Sequence, residues 1–370
     1  MTLAFRKVKK KVKDNQKEHL LLVGAGSTQM RPEQAELLLV EVLVKKSLIK
    51  IEDESLEVLK VLKLTGDAST RRYFRVYLAG GKTETFVVCL ADPFEGIVED
   101  HDFLSIQKLL KEKGIPVPNI LDYELSKGYI LQEDLGDKTL LLELSESKSE
   151  EAELEVYSLA IDHIISMHKI APSDCGGHIF TRRSFDKEKF LFEFRFMQKH
   201  FLEMYLRQKL SNKDKKILED GFNFIIKELL ARPTVFTHRD YHSRNIMISD
   251  GKMTIIDFQD ARLGPLVYDL VSLLEDSYYQ VTRKNKNILL CKYSKEMALN
   301  WSEYQRTYDL MTVQRTLKAI GSFTYIYNHR KDDRYLKYVG FAFEKVRSTL
   351  VKFPELYEFK ELIARIYYGS

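Results

Sequence analysis

The segment that most constrains this chain is residues 237–257, THRDYHSRNIMISDGKMTIID, in which a polar run precedes two short apolar runs. The apolar runs are separated by Asp250-Gly251, a dipeptide typical of a two-residue turn, because both central positions of that turn need a positive φ angle. Short apolar runs on either side of such a turn indicate paired strands. The pattern therefore predicts a β-hairpin that joins Asn245 to Asp257.

Three polar residues flank this hairpin. Antiparallel strands of nearly equal length bring their outer ends together, so Asn245 and Asp257 are expected side by side, with Asp240 one tight loop away. An amide oxygen and a carboxylate suit Mg²⁺, which takes few protein ligands and completes its coordination with phosphate oxygens and water. A further carboxylate that does not bind the metal can accept a proton from a hydroxyl group. The spacing predicts a metal site at Asn245 and Asp257 and a general base at Asp240.

The two histidines of the polar run, His238 and His242, raise two other interpretations, a solvated loop and a metal-hydrolase site. A zinc site needs a third ligand at suitable spacing, and none is evident. The cysteines supply none, because Cys89, Cys175 and Cys291 are far apart and form no CxxC pair. We expect His238 to shape the loop from within, whereas the role of His242 stays open between substrate contact and solvent exposure.

The same stretch carries a resemblance to known proteins. The sequences HRDYHSRN and DF, which begin at His238 and Asp257, are similar to the HRDxxxxN and DF motifs of protein-kinase-like phosphotransferases. The chain as a whole resembles the aminoglycoside phosphotransferase and choline kinase superfamily, over about residues 55–345. Within that superfamily, the stretches GDASTRRYFRV, EDLGD, DFQDARLGP, YDLVSLLEDSY and QRTLKAIGSF resemble those of anomeric sugar kinases, which phosphorylate N-acetylmuramate and N-acetylglucosamine at C1.

The resemblance implies an α+β, protein-kinase-like fold with two lobes. Residues 51–135 would form a small N-lobe with an antiparallel sheet that binds nucleotide, and the short apolar runs between turn residues in this part agree with strands. Residues 136–370 would form a large, mostly helical C-lobe that holds the catalytic loop, the metal and the substrate, and apolar residues here recur at helical spacing. Residues 1–50 match no family motif and are expected to be a basic extension, partly helical or disordered.

The resemblance also implies ATP and Mg²⁺ as cofactors. Asp240 would be the catalytic base, and Asn245 and Asp257 would hold Mg²⁺ on the ATP phosphates. The GDAST turn would cover the triphosphate with backbone amides, while the backbone of LQEDLG would bind adenine. The residues expected to bind nucleotide are Ser69, Thr70, Arg71, Arg72, Arg75, Glu133 and Leu135.

The third strand departs from the kinase pattern. Kinases place a Lys there to hold phosphates, but the stretch TFVVCLADP offers Cys89 or Leu90 instead. A guanidinium can fork onto phosphate oxygens, so one of Arg71, Arg72 and Arg75 is expected to supply the missing charge. Successive residues of a strand face opposite sides, so not all three arginines can point at nucleotide, and solvent exposure is the alternative for each.

The implied reaction is phosphorylation of the anomeric C1 hydroxyl of an amino sugar, such as N-acetylmuramate or N-acetylglucosamine, for cell-wall recycling or nucleotide-sugar synthesis. The residues expected near this small-molecule acceptor are Arg195, His242 and Asp260. Arg195 would pair with the lactyl carboxylate of muramate or with an acid of the fold. Because acceptor contacts come from variable helices and loops, the first alternative is a kinase of an aminoglycoside-, choline- or homoserine-type acceptor, and the second is a nucleotide-binding pseudokinase.

Composition sets the remaining expectations. The chain has 370 residues, 44% hydrophobic and 30% charged, which suits two globular lobes. No apolar run approaches the roughly 18 residues of a membrane span, and the scattered cysteines fit a reducing compartment, so we expect a cytoplasmic protein, with a monomer favoured. The net charge of +4 is small, so no nucleic-acid partner is expected. Part of the excess is a basic stretch that is either a solvated tail or an arm for a membrane surface or nucleic acid, formed by Arg6, Lys7, Lys9, Lys10, Lys11, Lys13 and Lys17.

Overall fold

The computed structural model describes residues 32–51, 56–64, 71–80, 85–146 and 149–369. Ser69, Thr70 and the basic N-terminal stretch lie outside these ranges, so the structure says nothing of them. Within the same ranges, no helix is both long enough and apolar enough to cross a membrane.

The small lobe is built on a five-stranded antiparallel sheet. Its strands are β1 (Glu57–Lys63), β2 (Arg72–Ala79), β3 (Thr85–Leu90), β4 (Ile120–Glu124) and β5 (Tyr129–Glu133). The order across the sheet is β1-β2-β3-β5-β4, and every neighbouring pair is antiparallel. The sheet confirms the antiparallel N-terminal lobe that the apolar runs predict.

A helix, α1 (Pro32–Lys50), packs on one face of this sheet. Alternate residues of β2 point towards the helix, and Phe74 and Val76 are fully buried there. The buried helix residues that share this core are Val40, Leu43, Val44 and Leu48. Residues 32–50 therefore belong to the small lobe, because without the helix this face of the sheet would expose its apolar side chains to water.

The opposite face of the sheet is connected to the large lobe through α2 (Asp102–Glu112). Ile106 is fully buried in the same core as Cys89 of β3. The Phe103 ring stacks on Phe258 of the large lobe, with ring centroids 4.9 Å apart. Since Phe258 directly follows the hairpin, α2 ties the sheet to the loop that carries the predicted metal ligand.

The large lobe is mostly helical, as its apolar spacing predicts. Its helices are α3 (Leu140–Glu146), α4 (Glu150–His168), α5 (Lys187–Met197), α6 (Asn212–Leu230), α7 (Tyr268–Leu274), α8 (Arg283–Glu296), α9 (Trp301–Arg330), α10 (Val339–Leu350) and α11 (Tyr357–Tyr368). A π-helical segment, Gln198–Tyr205, continues α5. The long helix α9 contacts α5, α6, α7 and α10. Its Gly321 permits a close approach to α5, since a Cβ there would lie 2.8 Å from the Cα of Met197.

The predicted hairpin is present and consists of β7 (Ile246–Ser249) and β8 (Lys252–Ile255). Asp250 and Gly251 have φ angles of 49° and 72°, the positive values that the turn requires. Two further strands, β6 (Thr234–Thr237) and β9 (Arg262–Pro265), pair with each other. The polar run thus lies between β6 and β7, and two short antiparallel ribbons hold its ends.

Candidate active site

The hairpin brings the two predicted metal ligands together. The Asn245 backbone carbonyl accepts the Ile256 N–H at 3.0 Å, one residue before Asp257. Asn245 Nδ2 donates to the Asp240 carbonyl oxygen at 2.9 Å and lies 3.4 Å from Asp257 Oδ2. The amide oxygen of Asn245 is then available to a cation beside the Asp257 carboxylate, a donor pair that suits Mg²⁺. Among the described residues no group of three or more His, Cys, Asp or Glu side chains could hold a metal, so a cation here depends on phosphate oxygens and water as well.

Asp257 is held in an uncommon backbone conformation, with a φ of 64°. Gln259, which stands where protein kinases have the Gly of DFG, donates its Nε2 hydrogen to Asp257 Oδ1 at 2.8 Å. Burial raises the pKa of Asp257 above its ordinary value, although the Gln259 hydrogen bond opposes the change. The Asp257 side chain is still 45% exposed, and a bound cation would favour its charged form, so the carboxylate fits a metal ligand.

The loop before Asn245 is fixed by a buried carboxylate at the start of α7. Asp269 accepts the backbone N–H groups of His238 at 2.7 Å and of Arg239 at 2.9 Å. Arg239 has a φ of 83°, which strains a residue other than glycine. The buried His238 ring has its Nε2 3.1 Å from the Ile256 carbonyl oxygen, and its Nδ1 accepts the Asp240 N–H at 3.3 Å. Both ring nitrogens are engaged, which excludes His238 as a zinc ligand.

Removal of this carboxylate should loosen the loop. For Asp269→Ala we expect a loss of about 2–5 kcal/mol in the free energy of unfolding, because two buried N–H donors would lose their acceptor. Turnover at a permissive temperature should fall about 10-fold or more, since a small displacement of a catalytic group is costly. Urea titration followed by circular dichroism and steady-state kinetics measure the two effects. Wild-type stability in the variant would show that the Asp269 carboxylate does not hold the loop.

Asp240, the predicted base, lies among cationic side chains. Its Oδ1 accepts hydrogen bonds from Lys318 Nζ at 2.8 Å and from Arg315 Nη2 at 3.0 Å, and Arg239 Nε lies 3.9 Å from its Oδ2. Burial alone would raise the pKa of Asp240, but Lys318, Arg239 and Arg315 outweigh burial and hold that pKa well below its ordinary value. Asp240 is therefore a carboxylate at neutral pH and can accept a hydrogen bond from a hydroxyl group.

Sequence reasoning missed Arg315 and Lys318. Both lie on α9, on a stretch where neighbours such as Leu317 and Ile320 are buried. A cation among buried residues needs a counter-charge, so this pattern could have indicated an anion nearby. It could not name that anion, because Asp240 is 75 and 78 positions away along the chain.

A cavity of about 130 Å³ lies beside the Asp240 carboxylate. Its lining combines charged and aromatic side chains and includes His242, Asp276, Tyr278, Arg315, Lys318 and Phe323. The His242 ring packs edge-on against Tyr278, with ring centroids 5.4 Å apart, and among the described residues its Nδ1 has no hydrogen-bond partner. Burial lowers the pKa of His242 to about 4, so the ring is neutral at pH 7. His242, which was predicted to lie near the acceptor, thus lines the cavity beside Asp240.

A second, larger cavity of about 740 Å³ lies between the sheet and the hairpin. Asn245 and Asp257 line it from the large lobe, and Tyr73, Val87, Glu133 and Leu135 are among the residues that line it from the small lobe. Glu133 and Leu135, which were predicted to bind nucleotide, thus line this cavity. Apolar walls beside Asn245 and Asp257, the two predicted metal ligands (hereafter the metal pair), suit a nucleotide and its phosphates.

The structure separates the arginines that could replace the missing lysine. Arg71 is on the side of the larger cavity, and its Nη1 lies 3.8 Å from Asp257 Oδ1. Arg72 points to the other face of the sheet, where its Nη1 lies 3.0 Å from Glu36 Oε1 on α1. Successive residues of a strand face opposite sides. Arg72 was predicted to bind nucleotide, but it does not reach the larger cavity.

Arg75 lines the larger cavity, but carboxylates occupy its guanidinium group. Its Nε and Nη2 donate to Asp134 at 2.6 and 3.0 Å, and its Nη1 and Nη2 donate to Asp137 at 3.0 and 2.9 Å. Asp134 and Asp137 belong to the segment that joins the two lobes. Arg75 therefore fixes that connection, whereas Arg71 approaches the metal pair.

Two of the three predicted acceptor residues lie elsewhere. Arg195 is on the solvent side of α5 with 66% of its side chain exposed, and its Nη2 lies 3.9 Å from Glu219 Oε1. Asp260 pairs with Arg239 at 2.9 Å and lines neither cavity. The helical period turns Arg195 outward, whereas Phe190 and Phe194 of the same helix are buried inside the lobe. Of the three residues, only the histidine lies at the cavity beside the base.

A small antiparallel sheet on a helical lobe, with Asp240 close to Asn245 and Asp257 at the hairpin, is the arrangement of a protein-kinase-like phosphotransferase. The chain belongs to the phosphotransferase enzyme family, whose model matches residues 60–286. Two curated relatives, from Pseudomonas aeruginosa and Neisseria meningitidis, are N-acetylmuramate/N-acetylglucosamine kinases. The first is 30% identical over 84% of this chain and 90% of its own length, and the second is 29% identical over 78% and 85%.

Solved structures confirm the fold class. The ADP-bound aminoglycoside phosphotransferase APH(2'')-Ib has a TM-score of 0.54 and 16% identity, over 82% of this chain and 97% of that chain. The choline kinase LicA from Streptococcus pneumoniae has a TM-score of 0.57 and 14% identity, over 85% and 99%. At these identities the likeness concerns the fold alone, which is the two-lobed kinase-like fold that the sequence predicts.

Proposed function

We propose that this protein is an ATP-dependent kinase that phosphorylates the C1 hydroxyl of an amino sugar such as N-acetylmuramate or N-acetylglucosamine. The observation that carries the proposal is the position of Asp240. Its carboxylate borders the smaller cavity. Its backbone carbonyl accepts a hydrogen bond from Asn245 Nδ2, and Asn245 lines the larger cavity together with Asp257. A base between an acceptor cavity and a metal pair suits phosphoryl transfer between two bound molecules. The names of the relatives support an amino sugar as the acceptor.

Asp240 would accept a hydrogen bond from the C1 hydroxyl and then its proton, as the hydroxyl oxygen attacks the γ-phosphorus. An anomeric hydroxyl is more acidic than an ordinary alcohol, so a carboxylate of low pKa is sufficient as the acceptor. Asn245 and Asp257 would hold Mg²⁺, which neutralises charge on the phosphate oxygens when bound. The main remaining demand is charge neutralisation around the transferring group, usually the largest catalytic contribution.

The charge of the smaller cavity argues against cationic acceptors. Arg315 and Lys318 both line it. Two acids besides Asp240 line it as well: Asp276 accepts hydrogen bonds from the Ser243 backbone and hydroxyl, and Glu275 pairs with lysines of α8 and α10. Choline and aminoglycosides are positively charged, so they would face like charges here. The two cations within 3.0 Å of Asp240 therefore disfavour a cationic acceptor at the base.

Aromatic rings give the same cavity a surface for a sugar ring. Tyr278 and Phe323 line it, with ring centroids 5.8 Å apart. Tyr335 stacks on Phe323 with an interplanar angle of 8° and fixes its orientation. A sugar presents C–H groups on its faces and hydroxyl groups at its edge, so a wall of rings beside polar side chains suits it.

The test is an ATP-consumption assay with Mg²⁺ over a panel of N-acetylmuramate, N-acetylglucosamine, glucose, choline and kanamycin, with phosphorus NMR of each product. We expect turnover of the amino sugars and a phosphate on the anomeric oxygen. A phosphate on another hydroxyl would contradict the C1 assignment. Turnover of choline or kanamycin but of no amino sugar would show that the acceptor is of that other class. ATP binding without turnover of any acceptor would identify a pseudokinase.

We also propose that Arg71 supplies the positive charge that kinases take from a third-strand lysine. Burial raises the pKa of the Cys89 thiol on β3 to about 11, so this residue is uncharged at neutral pH. Arg71 Nη1 lies 3.8 Å from Asp257 Oδ1. Its guanidinium group is therefore within reach of phosphates bound at the metal pair, and its fork geometry suits phosphate oxygens.

For Arg71→Met we expect kcat/KM for ATP to fall about 10- to 100-fold, the loss of a hydrogen bond to a charged group. Arg72→Met is the matched control, because the neighbouring guanidinium pairs with Glu36 on the other face of the sheet. Its kcat/KM should stay within about twofold of wild type, as for a surface ion pair. Steady-state kinetics with varied ATP measures both variants. Equal effects at the two positions would contradict the role of Arg71.

A further inference from the structure

We propose that Lys318 and Arg315 of α9 bind the transferring phosphoryl group, as the large-lobe half of a cationic clamp whose small-lobe half is Arg71. This inference rests on the proposed kinase function and adds two catalytic residues to it. In the step concerned, the C1 oxygen bonds to the γ-phosphorus, and the bond from that phosphorus to the β–γ bridging oxygen breaks. ADP leaves with the electron pair, and the hydroxyl proton passes to Asp240. Both cations donate hydrogen bonds to phosphoryl oxygens without covalent change.

The first argument is position. Lys318 Nζ and Arg315 Nη2 lie 2.8 and 3.0 Å from the same oxygen, Asp240 Oδ1. A hydroxyl that gives its proton to Asp240 lies at about 2.6–3.2 Å from that carboxylate. Both cations are therefore next to the group that touches the reacting oxygen, where the incoming phosphorus also has to arrive. An acceptor substituent several bonds from C1 would lie further out.

The second argument is charge. Arg239, Arg315 and Lys318 all approach the single carboxylate of Asp240. Arg315 also donates to the uncharged Ser272 hydroxyl at 3.0 Å. Burial first, and then repulsion by Arg315, lower the pKa of Lys318 to about 8, so Asp240 compensates its charge incompletely. Excess positive charge in a buried site is costly unless an anion arrives, and a phosphoryl group is such an anion.

Neighbouring acids do not cancel this charge. Glu193 lies 3.9 Å from Lys189 and 3.8 Å from Arg239. Asp260 lies 2.9 Å from Arg239 and 3.7 Å from Arg262. These two acids thus face three cations, namely Lys189, Arg262 and the Arg239 that also approaches Asp240. Asp240 is the carboxylate nearest to both α9 cations, and the three cations that approach it outnumber its single charge until an anion binds.

The third argument is the catalytic loop, whose cation nearest the base, Arg239, lies 3.9 Å from Asp240 and also pairs with Glu193 and Asp260. His242 is neutral at pH 7, because burial lowers its pKa to about 4. Arg244 lies against aromatic rings, with its Cζ 5.1 Å from the Tyr278 centroid and its Nη1 donating to the Tyr335 hydroxyl at 2.9 Å. The two cations within hydrogen-bonding distance of Asp240 therefore come from a helix that is distant in the sequence.

The kinetic test compares Lys318→Met with Lys318→Arg and with the control Arg306→Met. Arg306 is on the same helix but pairs with Glu228 and Glu355. We expect Lys318→Met to lower kcat about 10- to 30-fold with N-acetylmuramate and N-acetylglucosamine alike, with KM for each sugar within about threefold of wild type, because an interaction of the transition state is lost. Lys318→Arg should restore much of the turnover, and the control should match wild type.

Calorimetry separates phosphoryl contact from a structural role. Fluoroaluminate with ADP and Mg²⁺ mimics the transferring phosphoryl group, so wild type should bind this set more tightly than ADP and Mg²⁺. In Lys318→Met the affinity for fluoroaluminate with ADP and Mg²⁺ should fall about 10-fold, the scale of one charge-assisted hydrogen bond. Its affinity for ADP and Mg²⁺ alone should equal that of wild type. Unchanged fluoroaluminate binding would overturn the proposal. If Lys318→Met fails to fold by circular dichroism, Lys318→Gln and Arg315→Gln carry the same comparison, because each also removes one cation.

A selective rise in KM for N-acetylmuramate, with N-acetylglucosamine unaffected, would also overturn the proposal. It would show that Lys318 binds the lactyl carboxylate of the acceptor rather than the phosphoryl group. Failure of the proposed function gives a different result, since wild type would then phosphorylate neither sugar. The fluoroaluminate measurement needs no sugar and would still decide the role of Lys318.

Discussion

Replacement of Asp240 by asparagine is expected to lower kcat at least about 100-fold, the scale of general-base loss, while ADP binds within about twofold of wild-type affinity. The amide has nearly the size of the carboxylate but cannot take the proton of the acceptor hydroxyl. It also removes the anion that Lys318 and Arg315 contact. Turnover at saturating ATP and sugar, with calorimetry for ADP, measures the two quantities.

The matched control is Asp220→Asn. Asp220 is an exposed carboxylate on α6 that pairs with Lys216, so its kinetics should equal wild type. Loss of a buried anion beside cations lowers stability as well, so Asp240→Asn should be assayed well below its own unfolding midpoint. Turnover within about threefold of wild type in a folded Asp240→Asn protein would remove Asp240 from the role of base.

For Asp257→Asn we expect affinity for Mg²⁺·ATP to fall at least about 30-fold and kcat/KM to fall at least about 100-fold. Loss of a mere hydrogen-bond partner of a metal ligand already costs about 10- to 100-fold in metal affinity. Asparagine removes the charge of the ligand but tolerates the positive φ of 64° at this position. The change therefore acts on the cation and not on the backbone.

Asp250→Asn is the control for this variant. Asp250 is the exposed turn residue of the same hairpin and also has a positive φ, of 49°. Calorimetry with ATP at several Mg²⁺ concentrations separates the two changes. In the presence of a chelator, wild type and Asp257→Asn should bind ATP alike. Retained Mg²⁺·ATP affinity in Asp257→Asn would contradict its assignment as a metal ligand.

The sequence by itself determined those parts of the site that are close along the chain. Asn245 and Asp257 are joined by one hairpin, and the Asp250-Gly251 turn favours one pairing of its strands, so their proximity followed from local rules. The antiparallel sheet and the helical lobe were likewise predictable from apolar spacing. Such predictions succeed because turn geometry and the periods of helix and strand act over few residues.

Only the tertiary structure decided the contacts between distant segments. In the structure α1 packs on the sheet, Arg71 is the arginine that lies near Asp257, and Arg195 is exposed to solvent. The tertiary structure also brings Arg315 and Lys318 to Asp240 across 75 and 78 positions of sequence. A local pattern shows which face of a helix or strand is apolar and which residue is charged. The partner of each face and each charge is fixed only when the whole core packs, because long-range contacts depend on all the segments that surround them.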